Sequence, residues 1–314
     1  MSASPLSAAH FQNEQAAYEH VEAMLWPSGA ICPHCGGVGR AYTLTGKTTR
    51  IGLRKCGHCR KQFTVKVGTV FEDSHVPLTK WLQALHLLCS SKKGISSHQL
   101  HRILGVSLKT AWFMSHRLRE AMRDGTLSPL GGSGSTVEAD ETYYGEKNDT
   151  AQRRRPGQRG PVGKRPVIGL VERGGRVRTF HVDRANKDTV EGIVRENVDR
   201  ETALMTDESN LYPGVGGEFA SHETVCHSAG EYVRDEVHTN TMDGYWGLFK
   251  RGMRGIYQHC AEKHLHRYLA EFDFRYNNRV TLGINDAARA DAALLGVVGK
   301  RLTYRQPYAT EPRL

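Results

Sequence analysis

No stretch of this 314-residue chain approaches the ~18 consecutive apolar residues that a bilayer span requires. The opening MSASPLSAAHFQNEQAAYEH lacks both the basic stretch and the apolar core of a secretory leader, so the chain is expected in the cytosol. Acidic residues are under-represented: 33 Asp and Glu stand against 43 Lys and Arg, a net charge of +10. An excess of that size favours a polyanionic partner, because each cation placed on a phosphate releases a counterion. The plainer alternative is a solubilising surface. Cysteine is sparse and odd in number, seven in all, which argues against a disulfide framework. With 39% hydrophobic and 24% charged residues, a wholly disordered chain and a collagen-like repeat are excluded. What remains is a globular protein of one large domain or two to three small ones.

Four of the cysteines are paired by spacing. Residues 32–35 read Cys-Pro-His-Cys and residues 56–59 read Cys-Gly-His-Cys, with twenty residues between the pairs. Each pair is a knuckle that presents two thiolates, and four thiolates close the tetrahedral shell of a structural Zn²⁺. Cys32, Cys35, Cys56 and Cys59 are therefore the expected ligands of one zinc ion. The intervening segment is too short and polar to make a core, so the ion supplies the folding energy. His34 and His58, inside the knuckles, are read as solvated or phosphate-facing rather than as ligands.

Three helices should follow. Leu78, Trp81, Leu82, Leu85 and Cys89 recur with the helical period, and Ser96 and Ser97 cap a second helix carrying Leu100, Ile103 and Leu104. Gly105 and Val106 make a turn, and Ser107 caps a third helix with Leu108, Ala111, Trp112, Leu118 and Met122 on its inner stripe. This is the pattern of a helix-turn-helix. Lys109, Thr110, His116, Arg117 and Arg119 then fall on the outer face of the recognition helix, where phosphates and base edges of double-stranded DNA would be met.

After a Gly/Ser-rich joint at Gly131–Ser135 the pattern changes. Strands are expected at 136–145, 166–172, 177–183, 203–209 and 222–228, with a helix near 187–198 and a long helix from about Asn240. Strands joined first directly and then through helices imply an α/β mixed sheet flanked by helices. Between the first two strands runs a basic stretch with Arg153, Arg154, Arg155, Arg159, Lys164 and Arg165, read as a loop that orders on nucleic acid or as a plain insertion. Asp140 lies in the first strand, Asp207 near the end of a later one and Asp243 in the first turns of the late helix. Lys250 follows Asp243 by seven residues, two turns on along the same face. Glu138, in phase with Asp140, is a candidate accessory ligand, whereas Glu141 should face the other side of the sheet. Tyr143 and Tyr144 are read as packing or DNA contacts in preference to nucleophiles.

VEADETYYGEK (137–147), TDESNLY (206–212), HTNTMDGYWGLFKRG (238–252) and HLHRYLAEFDFRYNNR (264–279) resemble the DDE transposases of bacterial insertion sequences, specifically the IS fifteen-ninety-five group. The resemblance covers about residues 20–285. It implies a zinc ribbon over 20–72, a helix-turn-helix over 73–128, an RNase-H-like catalytic domain over 136–285 and a C-terminal tail over 286–314. It further implies that Asp140, Asp207 and Asp243 bind the catalytic Mg²⁺ or Mn²⁺ ions, with Lys250 as basic partner of the third acid. Where many relatives carry Glu in the third position this chain has Asp243, one methylene shorter, and Asn240 sits one turn earlier. Either Asp243 or Asn240 completes the ligand set; the charged oxygen holds a hard cation more strongly.

Two divalent ions on such a triad can stabilise charge on the attacking and leaving oxygens of a phosphodiester, and the 3′-hydroxyl released can then attack target DNA. Arg251 and Arg254 begin a basic and aromatic tract suited to tracking DNA ends. The expected activity is binding of the terminal inverted repeats, then metal-dependent cleavage and strand transfer within a dimer or higher synaptic assembly at the nucleoid. Two alternatives are a non-catalytic DNA-binding regulator derived from such an element, and an RNase-H-like nuclease acting on branched or hybrid nucleic acid.

Overall fold

The computed structural model describes residues 4–125, 128–146 and 163–303. Arg153, Arg154, Arg155 and Arg159 of the basic stretch lie outside the described residues. Two compact units are distinct: Met1–Arg123 together with Gly283–Leu314, and Asp124–Leu282.

In the first unit α1 (Ala9–Gln12) and α2 (Glu14–Leu25) precede a three-stranded antiparallel ribbon, β1 (Ala41–Thr43), β2 (Arg54–Cys56) and β3 (Gln62–Phe63). Then come α3 (Leu78–Ser90), α4 (Ser97–Leu104) and α5 (Leu108–Ala121). The turn before α5 follows from two residues. Gly105 adopts φ 59°, a left-handed cap that favours glycine, and Ser107 Oγ accepts the amide of Thr110. Pro77 at the start of α3 offers no side-chain cap. Glu14, 64 residues earlier, supplies one, its carboxylate accepting the amides of Leu78 at 2.6 Å and Thr79 at 3.0 Å. A final helix, Asp286–Leu295, packs on α3, and Arg289 donates to the Cys89 carbonyl. Residues 283–303 thus contribute to the core of this unit instead of trailing from the sheet domain.

The second unit is built on a five-stranded sheet: β4 (Thr136–Glu146), β5 (Lys164–Glu172), β6 (Val177–His181), β7 (Ala203–Asp207) and β8 (Ser221–Val225). Its spatial order is β6-β5-β4-β7-β8. The first three strands form an antiparallel meander, whereas β7 and β8 run parallel to β4. This is the mixed sheet of an RNase-H-like domain. Two helices provide the crossovers, α6 (Lys187–Asn197) and the short α7 (Pro213–Gly216). The hairpin β9 (Val233–Arg234) and β10 (Val237–His238) leads into α8 (Asn240–Gly252), and α9 (Leu265–Asn277) closes the unit.

Alternation along β4 assigns its two faces. Val137 and Ala139 enter a cluster with Val190, Val194 and Tyr212, on the α6 side. The opposite face carries Glu138 and Asp140, and there α8 and α9 bury Met242, Tyr245, Trp246, Phe249, Leu269 and Phe272.

Candidate functional site

Among the described residues, two groups of side chains are close enough to share an ion, their ligand atoms lying within 4.8 Å of one another: Cys32, Cys35, Cys56 and Cys59, and Asp140, Glu141 and Asp207. In the first, Sγ of Cys32 is 3.7 Å from Sγ of Cys59, and Cys35 is 3.7 Å from Cys56. A tetrahedral shell with Zn–S of about 2.3 Å separates sulfurs by about 3.8 Å, so the four thiols fit zinc without rearrangement. The backbone amides of Cys59 and His58 hold the Cys56 thiol down to about 6, which favours the thiolate a metal needs. His34 Nε2 instead hydrogen-bonds the Gln62 carbonyl at 3.2 Å.

The carboxylate group follows from strand register. β4 and β7 pair in parallel only over Thr136–Glu138 and Ala203–Met205. Two residues further on, the same register would set Asp140, midway along β4, beside Asp207 at the carboxyl end of β7, at a level where the two strands are no longer paired. Asp207 Oδ1 also accepts the Ser209 amide at 3.0 Å, which ties its carboxylate to the turn leaving the strand.

Glu141 keeps the face expected of it. It belongs to the other face of β4, where Tyr212 OH donates to Oε2 at 2.9 Å and Ser209 Oγ to Oε1 at 3.2 Å. It nonetheless joins Asp140 and Asp207, because β4 and β7 are no longer paired at this level and side chains of both faces reach the gap. Glu138, in contrast, is no ligand. It is fully buried and saturated by donors: Arg173 Nε at 2.7 Å, Thr241 Oγ1 at 2.9 Å and the Met242 amide at 2.9 Å. Thr239, at the start of α8, makes no side-chain cap, and Glu138 serves in its place.

Crowding of like charge is visible in the acidities. Burial first, then the charges of Asp207, Glu141 and Asp243, push the Asp140 carboxyl up to about 7, against a hydrogen bond from Trp246. Burial raises Asp207 and Glu141 as well. A cation would relieve all three. Glu208, next to Asp207, goes the other way: the amides of Ser228 and His227 hold it down to about 2, and it caps that loop outside the acidic group.

Asn240 and Asp243 both lie in the first turn of α8 and are exposed. Asp243 stands outside the 4.8 Å group, but its charge acts on both Asp140 and Asp207. Lys250 lies two turns along α8 and is half-buried.

With this geometry stand two family matches: residues 129–277 match the ISXO2-like transposase domain, and residues 12–62 match the transposase zinc-ribbon domain. The chain belongs to these transposases. A relative, an uncharacterised protein in transposable element ISH50 of Halobacterium salinarum, is 28% identical over 282 residues, covering 84% of this chain and 91% of that protein. Among solved structures, the Mos1 strand transfer complex covers 68% of this chain and 74% of its own, at 11% identity and a TM-score of 0.26.

In this transposase the expected DNA-facing residues of α5 divide. Lys109 and Thr110, in its first turn, are exposed and partly exposed. His116, Arg117 and Arg119 are instead buried, at 1%, 6% and 1% exposure. Arg117 donates to the carbonyls of Val70, Glu72 and Leu302. Such a guanidinium is a structural strut and has no face for DNA. Arg251 and Arg254, at the end of α8 and just beyond it, are exposed. No helix among the described residues is long and apolar enough to cross a membrane.

Proposed function

We propose that the transposase cleaves and joins DNA at a divalent-metal centre held by Asp140, Asp207 and Asp243, with Glu141 as a fourth acid beside them. The observation that carries this reading is the Asp140 carboxyl, raised to about 7 within 4.8 Å of two further carboxylates. Three carboxylates buried this close together form the donor set of a hard cation, whose charge would offset both their burial and their repulsion. When bound, Mg²⁺ or Mn²⁺ supplies electrostatic stabilisation of the attacking and leaving oxygens of the phosphodiester. The chain supplies the rest. Asp140 offers an anionic oxygen from the middle of β4, Asp207 another from the end of β7, and Asp243 a third from the first turn of α8. Its electrostatic reach to both favours it over the neutral Asn240. Lys250 faces the same cleft side of α8 and draws the scissile phosphate by charge.

Lys109 and Thr110 at the amino end of α5 dock on the terminal repeats, where the helix dipole also favours phosphate. Arg251 and Arg254 hold the DNA leading into the cleft. Two ends must be joined in one event, so the working form is a dimer or higher assembly.

The test is cleavage and strand transfer on labelled end DNA with Mg²⁺ or Mn²⁺. Metal-dependent nicking followed by joining is expected, and zinc-loaded protein that binds ends without ever cutting them would leave only a DNA-binding regulator. Asp243→Ala should then abolish cutting while Asn240→Ala keeps most of it; the reverse result would transfer the third position to Asn240.

A further inference from the structure

Asp140 is paired across the sheet with Gly169 of β5. The backbone does not need glycine there, since Gly169 is absent from the left-handed residues among those described. Space does. A Cβ at Gly169 would lie 2.1 Å from Met242 Cε and 2.6 Å from Trp246 Cζ2, far inside contact distance. The slot therefore admits the Trp246 indole close against Gly169, where it is only 3% exposed. From that seat Nε1 donates to Asp140 Oδ2 at 2.9 Å. The indole nitrogen is a donor only, so it always engages an acceptor oxygen and never competes for a cation.

We propose that Trp246 is a positioning residue: its N–H fixes the rotation of the Asp140 carboxylate so that the other oxygen is presented to metal, and Gly169 exists to make room for it. The inference rests on Asp140 being a metal ligand, as argued above. It gains weight from the second anchor of the same helix. Glu138, two residues before Asp140 on the same face of β4, accepts the Met242 amide one turn before Trp246. α8 is thus pinned to β4 at two in-phase positions, one at its amino end and one on the ligand itself. The helix bearing Asn240 and Asp243 and the strand bearing Asp140 are set by the same pair of bonds.

The experiment uses the full chain without DNA. Mn²⁺ binding is measured by calorimetry for the wild type, Trp246→Phe and Asp140→Asn, with the unfolding temperature and zinc content of each. In Trp246→Phe the ring is kept and the N–H lost, so Mn²⁺ affinity should fall by about 10–100-fold, the range typical of an outer-shell partner. Unfolding temperature and zinc content should stay near wild type. Independently of any Trp246 variant, titration of the wild type with Mg²⁺ should shift one of its four indole N–H resonances, and the shift should vanish in Asp140→Asn. Wild-type affinity in Trp246→Phe, or an indole spectrum unmoved by saturating Mg²⁺, would overturn the positioning role and leave the metal centre standing. Failure of the wild type to bind Mn²⁺ at all would bring down the metal centre itself.

Discussion

Four thiols and three carboxylates gather within the same 4.8 Å, by opposite routes. The thiols come from two knuckles that each fold locally, and their sulfurs already stand at zinc spacing. The carboxylates come from strands separated by a whole crossover, and the chain holds them together against their own repulsion. A closed thiolate shell is a folding device, whereas a strained acidic cleft is a working site whose cost the rest of the unit must carry. Separating the two experimentally is the sharpest use of the comparison.

The largest effect should come from the ribbon. Cys56→Ser removes one of four thiolates, and structural zinc contributes about 10–16 kcal/mol of binding energy in such modules. Zinc per chain should fall from one to none by atomic absorption, with end-DNA binding weakened. Mn²⁺ binding at the acidic group should persist, and its loss would show the two centres to be coupled. Asp140→Asn is the converse. Cutting of labelled ends should fall by more than the ~10–100-fold that removal of an outer-shell partner costs. Zinc content and end binding should hold, and a variant that still cuts at wild-type rate would remove Asp140 from the centre.

The same contrast governs what could be read from the sequence. The knuckles were legible because ligand spacing is a local property, and the strands and helices of the sheet domain because their periodicity is local too. Three features were not. Glu141 keeps the far face that alternation gives it, paired with Ile168 of β5, but alternation cannot show that β4 has parted from β7 at that level or that its carboxylate meets Asp140 and Asp207. Arg117 looked like a DNA contact on a helical wheel, which cannot show that carbonyls from residues 70, 72 and 302 converge on it. Trp246 is a core residue by its bulk, and nothing in its spacing shows that its one polar atom reaches Asp140. The non-local caps supplied by Glu14 and Glu138 escaped notice for the same reason: each acts on a helix from a distant segment.

A smaller effect concerns protons at the acidic cleft. With its carboxyl near 7, Asp140 is protonated below that pH, and a proton competes directly with a cation. Mn²⁺ affinity should therefore rise as pH increases from about 6 to about 7.5, by up to about tenfold per unit below 7, and level off above. The four thiols, already at zinc spacing and closing a full shell, should hold their ion across the same range. Calorimetric Mn²⁺ titrations flat between pH 6 and 8 would contradict the assigned acidity.

The smallest expected effect separates the cleft from a second buried acid in the same unit. Asp273 on α9 is fully enclosed, and burial pushes its carboxyl up to about 7 against hydrogen bonds from Tyr245 and Thr179. In an unfolded chain an aspartate releases its proton near about 3.9. Between those values the folded protein retains a proton that the unfolded chain has lost. The contribution to stability is thus complete below about 4 and declines as pH rises through 7. Asp140 adds a slope of the same sign, yet saturating Mn²⁺ should cancel that share by favouring the ionised carboxylate. Asp273 lies outside both metal-competent groups found among the described residues, and the charge of Arg178 offsets its burial only in part. In Mn²⁺, then, urea midpoints of the wild type should still fall between pH 5 and 7.5, whereas Asp273→Asn should flatten the curve. Parallel curves for the two proteins would mean that Asp273 ionises freely inside the fold, and that burial alone does not separate it from the acids a metal ion can reach.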